Sequence, residues 1–474
     1  MRRTVRLVIA LFVLAGIAAP STLAAQRMWV GFHDDPSFRW FLPTSERQAL
    51  IAGSAQSNAT IMRLLVQWNE TAKTRPASAT DPFDPAYELD DVDEAVRTAQ
   101  QNDQEVVLTI TGTPKWANGG KSQNVMPTRI SDFTAFARAI ASRYSGRYDG
   151  YPFVRFFSIW NEPNLQQFLS PQFNSRGRSV APANYAKLAA AGYAGIKAGS
   201  PQAKVAIGET SPRGSDKATG VRPIHSPGTF AELVAKANPR LKFDAWSHHP
   251  YPTVPTAPPS QVVKWPNVSL ASLPTLDDNL KKWFKRKSVP IWVTEYGYQT
   301  RPEDKLGIPY STQARNLQQA ISIAAGYPFV EMFIWFVYQD DPGQQWDSGL
   351  YTRTGAPKGT SPARFATSAR PLDARNGLVN LPRGTLTPLL TVYTRRYCAT
   401  DTTGTPIGMT WRVFQGSRLI SVGQQSAPLR SDCTLAARVT VKGGVKKGVT
   451  YTATFALNDA SGVVLNRRIT LRGV

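Results

Sequence analysis

The chain has 474 residues, enough for a large α/β domain followed by a second, smaller domain. Its 55 lysines and arginines outnumber its 33 acidic residues, which gives a formal net charge of +22. Beyond the N-terminus, no apolar run approaches the roughly 20 residues of a membrane-spanning helix, which excludes stable membrane insertion.

The first residues have the pattern of a secretory signal peptide. Three arginines precede an apolar run over residues 7–19, and small residues follow as far as Ala25. We assign residues 1–25 to a cleaved signal peptide and expect a secreted, extracellular monomer. An uncleaved N-terminal anchor is the alternative.

The excess of positive charge bears on the partner of such a secreted protein. A basic surface attracts polyanions, and outside the cell we expect an acidic polysaccharide or an exopolysaccharide and no nucleic acid. A basic surface that binds nothing through its charge is an equally good explanation.

Eight predicted strands alternate with helices, among them a helix over residues 90–101. This alternation is typical of the α/β class and predicts a (β/α)8 TIM barrel over residues 26–370. A doubly wound open sheet is the main alternative, but the chain lacks a Gly-x-Gly-x-x-Gly or Walker-type phosphate loop after any strand. In chain order, the strands cover residues 28–32, 59–67, 105–111, 156–160, 204–208, 243–247, 289–295 and 331–336.

The chain changes character after residue 370. Residues 371–384 form a predicted linker, and residues 385–474 contain short alternating runs separated by turn residues, which predicts an Ig-like β-sandwich. The two cysteines, Cys398 and Cys433, both lie in this region. In an oxidising compartment we expect them to form a disulfide, with two free buried thiols as the alternative.

Two of the buried strands end in a glutamate. The fourth strand leads into Asn161-Glu162-Pro163, and the seventh leads into Glu295 and a Gly turn. Pro163 has no N–H for a sheet ladder, so the fourth strand stops before it. The carboxyl ends of barrel strands carry ligand chemistry, and paired carboxylates are what cleavage of a glycosidic bond needs. We therefore expect Glu162 and Glu295 to converge on one site.

At these strand ends the chain resembles the clan A glycoside hydrolases, retaining (β/α)8 enzymes whose acid/base and nucleophile are glutamates after strands four and seven. Thr113-Pro114-x-Trp116 after strand three looks more like family 39 than like family 5, whose cellulase-type members usually carry a histidine there. The resemblance covers the barrel and implies a glycosidase that cleaves O-glycosidic bonds of a carbohydrate substrate without a metal or an organic cofactor; the signal pattern adds the expectation that it is secreted. The matching positions are Asn161, Glu162, Glu295, Arg63, His249, Tyr251 and Trp335.

The resemblance implies a role for each catalytic glutamate. Glu162 is the general acid/base, and burial near the second carboxylate should raise its pKa. Glu295 is the nucleophile and should stay ionised, with Arg63 or a tyrosine hydroxyl favouring its charge. A helix-capping or salt-bridged glutamate is the structural alternative at either position, and Glu70 and Glu209 are the carboxylates that would replace them.

The remaining matching residues should bind substrate or position the glutamates. Asn161 would hold the sugar 2-hydroxyl, with a structural turn as its alternative. Tyr251 could hydrogen-bond the nucleophile, and His249 could bond the acid/base or a substrate hydroxyl. The adjacent histidines 248 and 249 could instead bind a metal, although no cysteine or further histidine completes a ligand set.

Three tryptophans, Trp116, Trp335 and Trp346, are candidate platforms for sugar rings, and plain loop packing is the alternative for Trp116 and Trp346. Asp34 and Asp35 should shape a subsite or form salt bridges at the rim. Two other functions remain open: a non-catalytic glycan-binding envelope protein, and a transglycosylase that shares the covalent intermediate but excludes water.

Overall fold

The computed structural model describes residues 28–148, 150–219, 223–341, 343, 346–372, 389–393, 406–428, 434–438, 445–459 and 462–473. The predicted signal peptide and the proposed Cys398–Cys433 disulfide lie outside these residues, as does most of the predicted linker. These assignments and the domain boundaries therefore stay predictions.

Eight parallel strands close into a barrel in sequence order, with β8 pairing with β1. This confirms the predicted (β/α)8 fold and excludes the open doubly wound sheet. The strands are β1 (Trp29–His33), β2 (Ile61–Gln67), β3 (Glu105–Thr111), β4 (Phe156–Ile159), β5 (Lys204–Thr210), β6 (Ala245–His248), β7 (Ile291–Tyr296) and β8 (Val330–Phe336).

Helices surround the barrel and connect its strands. They are α1 (Thr44–Gln56), α2 (Trp68–Thr71), α3 (Asp90–Gln101), α4 (Lys115–Asn118), α5 (Ile130–Arg143), α6 (Ala181–Gly199), α7 (Pro227–Ala237), α8 (Leu273–Trp283), α9 (Tyr310–Ala325) and α10 (Ser361–Ala369). A π-helical turn, Pro36–Trp40, follows β1, and two 3-10 turns cover Leu270–Ser272 and Arg370–Leu372. Within the described residues, no helix combines the length and the apolar character needed to cross a membrane.

Apolar side chains fill the lower barrel interior, and polar ones lie above them. The apolar layer consists of Ile61, Val107, Phe156, Ala206, Ala245, Trp292, Met332 and Ile334. Successive strand residues alternate between the two faces, so the residue two positions further on also faces inward. On five strands that residue is polar: Arg63, Thr109, Ser158, Ser247 and Thr294. The alternation of side chains along the strands therefore places this polar layer directly beneath the candidate site.

The ends of the barrel lie side by side. The backbone N–H of Met28, just before β1, donates a hydrogen bond of 2.9 Å to the carbonyl of Leu372. Both residues lie at the amino-terminal end of the strands, opposite the ends that carry Glu162 and Glu295.

The described part of the C-terminal region contains β-strands and no helix, in line with the predicted all-β domain. It contains a four-stranded antiparallel sheet in the order β11-β10-β13-β14 and a two-stranded sheet of β12 and β9. The strands are β9 (Leu389–Tyr393), β10 (Pro406–Gln415), β11 (Arg418–Pro428), β12 (Thr434–Arg438), β13 (Thr450–Asp459) and β14 (Gly462–Arg472).

Candidate active site

A cavity of about 800 Å³ opens at the carboxyl ends of the strands, and both Glu162 and Glu295 line it. Amide, hydroxyl and aromatic side chains make up much of the remaining wall. They include Asn124, Gln166, Gln167, Ser211, Tyr251, Phe336 and Trp346. The volume suits a sugar-sized ligand.

The two glutamates face each other across this cavity. A carboxylate oxygen of Glu162 lies within 4.8 Å of a carboxylate oxygen of Glu295. Trp160 and Glu162 have φ values of 72° and 38°, so the chain leaves β4 through two left-handed residues on either side of Asn161. Such conformations cost about 1–3 kcal/mol each and persist only where the surrounding structure enforces them. Here they aim Glu162 into the cavity.

Glu295 is surrounded by donors. Arg63 Nη1 donates to Oε1 at 2.5 Å, and the Tyr251 hydroxyl donates to Oε2 at 2.9 Å. Burial alone would raise the pKa of Glu295, but the positive charges of His249 and Arg63 outweigh it and hold that pKa well below its usual range. Glu295 is therefore an ionised carboxylate.

Glu162 has the opposite electrostatic character. Burial raises the pKa of Glu162, and the nearby charge of Glu295 adds to this effect, against the hydrogen bond from His249. His249 Nδ1 lies 3.0 Å from Glu162 Oε1. The pair therefore consists of one carboxylate with a lowered pKa and one with a raised pKa.

His249 lies beneath the two glutamates, fully buried. Its Nε2 atom is 2.7 Å from Glu209 Oε2, so both ring nitrogens face carboxylates. Burial works against its protonation, but the charge of Glu295 and the hydrogen bonds to Glu162 and Glu209 raise the pKa of His249 to about 9. The ring is an imidazolium that donates from both nitrogens.

Glu209 is a third buried carboxylate, which the sequence offered only as a substitute for the catalytic pair. Its Oε2 accepts hydrogen bonds from Arg63 Nη2 at 3.1 Å and from Thr294 Oγ1 at 2.9 Å, besides that from His249. The charges of Arg63 and His249 overcome burial and lower the pKa of Glu209 to about 2. Glu209 thus anchors the two cations beneath the catalytic pair, and it does not line the cavity.

A distortion of β5 brings Glu209 inward. The register between β5 and β6 shifts between Ile207 and Thr210. Gly208 and Glu209 have φ values of 105° and 47° across this shift. A bulge re-aims the next side chain, and here it turns Glu209 towards Arg63. Gly208 immediately before a strand-end glutamate is the sequence signal for this arrangement.

Arg63 connects most of the site and is fully buried. Its Nε donates to Thr109 Oγ1 at 2.9 Å, and its Nη2 donates to Asn161 Oδ1 at 2.9 Å as well as to Glu209. Because a guanidinium can only donate, the Asn161 atom facing it is the amide oxygen. The amide nitrogen of Asn161 is thereby left to donate elsewhere.

The sequence of the barrel matches a known family. A family model described as "Cellulase (glycosyl hydrolase family 5)" matches residues 23–337. The chain belongs to glycosyl hydrolase family 5.

Solved structures of similar fold include members of two glycoside hydrolase families. A family 39 glycoside hydrolase from the gut symbiont Bacteroides cellulosilyticus superposes with a TM-score of 0.53 and 17% identity, over 88% of this chain and 82% of that one. A GH5_18 enzyme from Streptomyces cattleya in complex with GlcNAc gives 0.52 and 16%, over 73% and 80%. A search of curated proteins gave no match. The predicted resemblance to clan A is confirmed, and the protein is a glycosidase; the family model supports family 5, which the sequence analysis ranked behind family 39.

The structure brings together six of the eight residues predicted for the site of this family 5 protein. Glu162, Glu295 and Tyr251 line the cavity. Arg63, His249 and Asn161 hydrogen-bond to that group or to Glu209, as described above.

Trp335 is placed differently from the prediction. It lies on the outer face of β8, fully buried, with its ring 6.1 Å from that of Tyr296 and its Nε1 donating to the Ser348 carbonyl at 2.8 Å. Met332 and Ile334 face the barrel interior, so strand alternation brings Phe336 to the cavity and turns Trp335 away. The candidate sugar contact on β8 is therefore Phe336.

Trp116 also lies away from the cavity. It packs at right angles on Trp68 with ring centroids 5.4 Å apart, donates to the Ala72 carbonyl at 2.7 Å, and is covered by the Arg75 guanidinium. Its predicted alternative, loop packing, is what the structure shows. Trp346 lines the cavity, is 39% exposed and packs edge-on against Tyr251.

The two adjacent histidines do not form a shared metal site. His248 faces the opposite side of β6 from His249, with Nδ1 2.8 Å from Thr210 Oγ1 and Nε2 3.1 Å from the Val268 carbonyl. Both ring nitrogens of His249 donate to carboxylates, and as an imidazolium the ring has no lone pair with which to bind a metal ion.

The sequence missed a group behind Arg63. His33 Nδ1 lies 2.6 Å from Arg63 Nη1, and its Nε2 lies 3.1 Å from Asp35 Oδ2. Asp35 also accepts from Arg39 Nη1 at 2.9 Å and from the backbone N–H of Leu65. Asp35 was expected to form a salt bridge at the rim, and it does form one, but it is buried.

Proposed function

We propose that this protein is a retaining glycoside hydrolase that cleaves O-glycosidic bonds of a polysaccharide or oligosaccharide by double displacement. The observation that carries this proposal is the pair Glu162 and Glu295, within 4.8 Å of each other and with pKa values shifted in opposite directions. Retaining enzymes hold their two carboxyl groups about 5–5.5 Å apart, whereas inverting enzymes need about 6.5–9.5 Å to admit a water.

In the first step, a carboxylate oxygen of Glu295 attacks the anomeric carbon and forms a glycosyl ester. The bond to the leaving oxygen breaks, and Glu162 gives its proton to that oxygen. Arg63 and Tyr251 hold Glu295 in the attacking orientation, since they donate to different oxygens of its carboxylate.

In the second step, Glu162, now ionised, takes a proton from a water molecule. The water oxygen attacks the anomeric carbon and displaces Glu295, so the sugar leaves with its original configuration. His249 donates to Glu162 and favours the charge that appears on it between the two steps. No step needs a metal or an organic cofactor.

Asn161 completes the proposal on the sugar side. Its oxygen is taken by Arg63, which leaves its amide nitrogen to donate to the 2-hydroxyl as the oxocarbenium ion develops. Trp346 and Phe336 offer apolar faces at the cavity wall to the sugar rings. Their contribution is to orient the substrate over the carboxylates.

The cellular setting belongs to the same proposal. The N-terminal signal pattern supports export, and the net charge of +22 supports an acidic polysaccharide or exopolysaccharide as substrate. We propose a secreted protein acting as a monomer.

The decisive experiment traps the covalent intermediate. An aryl-glycoside panel identifies a cleaved sugar, and the 2-fluoro derivative of that sugar should then inactivate the protein and label Glu295 in a peptide map. NMR of the first product should show the retained anomer. A label on Glu209 or Glu70, or an inverted product, would refute the assignment.

Two outcomes would instead favour the alternative functions. Binding without any hydrolysis across the panel would indicate a glycan-binding protein. Dominant transfer products at high acceptor concentration would indicate a transglycosylase, which forms the same labelled Glu295.

A further inference from the structure

One side of the cavity carries a marked excess of positive charge. The loops after β4, β5 and β6 cover residues 163–180, 211–226 and 249–269, and they contain a single acidic residue. The cationic residues in the described part of these loops are Arg176, Arg178, Arg213, Lys217 and Lys264. The one acidic residue, Asp216, accepts hydrogen bonds from Ser226 N–H, Ser226 Oγ and Thr229 Oγ1 at the start of α7. Its carboxylate therefore caps this helix and does not pair with the loop cations.

The opposite side has a different balance. The loop after β2, residues 68–89, carries Glu70, Asp81, Asp84 and Glu88 against Lys73 and Arg75. The β4–β6 side therefore differs in charge from the β2 side, while the loop after β3, residues 112–129, is also basic, with Lys115, Lys121 and Arg129 and no acidic residue. A field of one sign along a cleft wall concentrates ligands of the other sign.

Arg213 brings this charge into the cavity. It lines the wall that Glu162 and Glu295 share, and those two glutamates are the only carboxylates among the described lining residues. Its side chain is exposed, and Nη1 donates to the Thr253 carbonyl in the loop after β6. That tether holds the guanidinium at the wall while its other N–H groups remain for a ligand.

Contacts tie Arg213 to the Glu162 side of the cavity. Asn164, two residues after Glu162, accepts from the Ser211 N–H at 2.8 Å and donates to Ser211 Oγ at 2.9 Å. The loop that carries Arg213 is thus bonded to the turn that carries Glu162. In the proposed reaction, Glu162 protonates the leaving oxygen, so the leaving sugar must lie beside it.

We propose that the loops after β4, β5 and β6 form a leaving-group subsite for an acidic sugar, whose carboxylate or sulfate binds the Arg213 guanidinium. This inference rests on the proposed retaining function and names the substrate class for that site. Asn124, Gln166 and Gln167 line the same wall and supply amide groups for the hydroxyls of the sugar. The neighbouring cations steer the polyanionic chain towards Arg213.

The test uses pairs of oligosaccharides that differ only in the sugar on the leaving side. One member carries a neutral hexose there and the other the corresponding hexuronic acid; a second pair compares the neutral hexose with its sulfate ester. We expect kcat/KM to be about 10- to 100-fold higher for the acidic member in low salt, as for a charge-assisted hydrogen bond, and to fall as salt is raised. The two pairs distinguish a carboxylate from a sulfate.

The variant Arg213→Gln should lose most of this preference, because its kcat/KM falls at least tenfold on the acidic member and much less on the neutral one. Arg240→Gln is the matched control. It changes an exposed arginine between α7 and β6, at the other end of the barrel, and should keep the preference.

Equal rates on both members, a preference for the neutral one, or equal losses by the two variants would overturn the inference while leaving the glycosidase intact. If no pair is cleaved, isothermal titration calorimetry of the same oligosaccharides tests separately whether the acidic sugar binds more tightly than the neutral one. Tighter binding of the acidic member that Arg213→Gln abolishes supports the subsite, and equal binding refutes it. Absence of cleavage across all glycans counts against the proposed function itself.

Discussion

Arg63 Nη1 lies 2.6 Å from Nδ1 of His33, and this contact fixes the state of the histidine. A guanidinium can only donate, so Nδ1 accepts and Nε2 carries the hydrogen that faces Asp35. Burial and the charge of Arg63 lower the pKa of His33, but its contacts with Asp35 and Glu295 outweigh them and raise it. The 2.6 Å contact with Arg63 nevertheless requires the lone pair of Nδ1, so His33 is the neutral acceptor that holds Arg63 against Glu295. It acts on the nucleophile through Arg63, as a positioning residue.

This relationship predicts a split between two His33 variants. His33→Leu removes the acceptor, so Arg63 is held less firmly and kcat should fall by about tenfold or more, with the acidic limb of the pH–rate profile moving up because Glu295 loses part of its stabilisation. His33→Gln supplies an amide oxygen as acceptor, so it should restore much of kcat and return the acidic limb towards its wild-type position. Equal damage by both variants, with an unmoved acidic limb, would show that His33 has only a packing role.

The opposite pKa shifts of the catalytic pair predict a bell-shaped pH dependence. Turnover needs Glu295 ionised and Glu162 protonated. Activity should therefore fall as the pH drops through the lowered pKa of Glu295 and fall again as it rises through the raised pKa of Glu162. A pH series of kcat/KM measures both limbs, and Glu162→Gln should remove the basic one.

Glu162→Gln should also make the rate depend on the leaving group. We expect about a 10²- to 10⁴-fold loss on a natural glycoside, whose alkoxide must be protonated to leave. An aryl glycoside with an acidic phenol needs no such help in the first step, so the formation of its glycosyl ester should be affected much less. A uniform loss of the burst rate on both substrates would contradict the role of Glu162 as acid.

Glu209 should contribute strongly to stability. Its pKa is about 2 in the folded protein against a reference of 4.5, so its contribution is present above pH 4.5 and is lost as the pH falls towards 2. Glu209→Gln should cost about 3 kcal/mol of unfolding free energy at pH 7, because buried Arg63 and His249 lose a charged partner. Urea unfolding at pH 7 and pH 3 measures this difference, which should shrink at the lower pH. Glu88→Gln, an exposed partner of Lys73, is the control and should leave the midpoint at the wild-type value.

The two tryptophans of the β8 region should behave differently when changed. Trp346→Ala removes an exposed ring from the cavity wall and should raise KM several-fold with little loss of stability. Trp335→Phe should leave KM near the wild-type value and cost about 1–3 kcal/mol of stability, because it truncates a fully buried side chain and removes the hydrogen bond to Ser348. A raised KM for Trp335→Phe would place that residue back in the substrate site.

The hydrophobic periodicity of the sequence was sufficient to predict the strands and helices of the barrel. The predicted helix over residues 90–101 and the strand over residues 105–111 match α3 and β3 in full, because acidic first-turn residues mark the helix and a mainly apolar, β-branched run marks the strand. Glu162 and Glu295 were also found, since each lies one polar residue beyond a mainly apolar run. Both features depend on local sequence alone.

The errors arose where local patterns do not determine side-chain direction. β5 was expected to end at Gly208, yet it continues to Thr210 through the bulge that turns Glu209 inward. Trp335 was assigned from the resemblance to clan A enzymes, although strand alternation already places Phe336 on the inner face. His33 was overlooked because its role depends on the pairing of β1 with β2, which brings it beside Arg63.

The bond between Met28 and Leu372 has a consequence for the architecture of the molecule. It joins the first and last residues of the barrel, which lie together at the amino-terminal ends of the strands, on the face opposite the catalytic cavity. Additional modules can therefore be exchanged, duplicated or deleted at that junction without threading past the substrate or reshaping the loops that select it. Because the barrel is closed at this junction, the sequence of the all-β region can change in evolution without altering the loops that form the catalytic cavity.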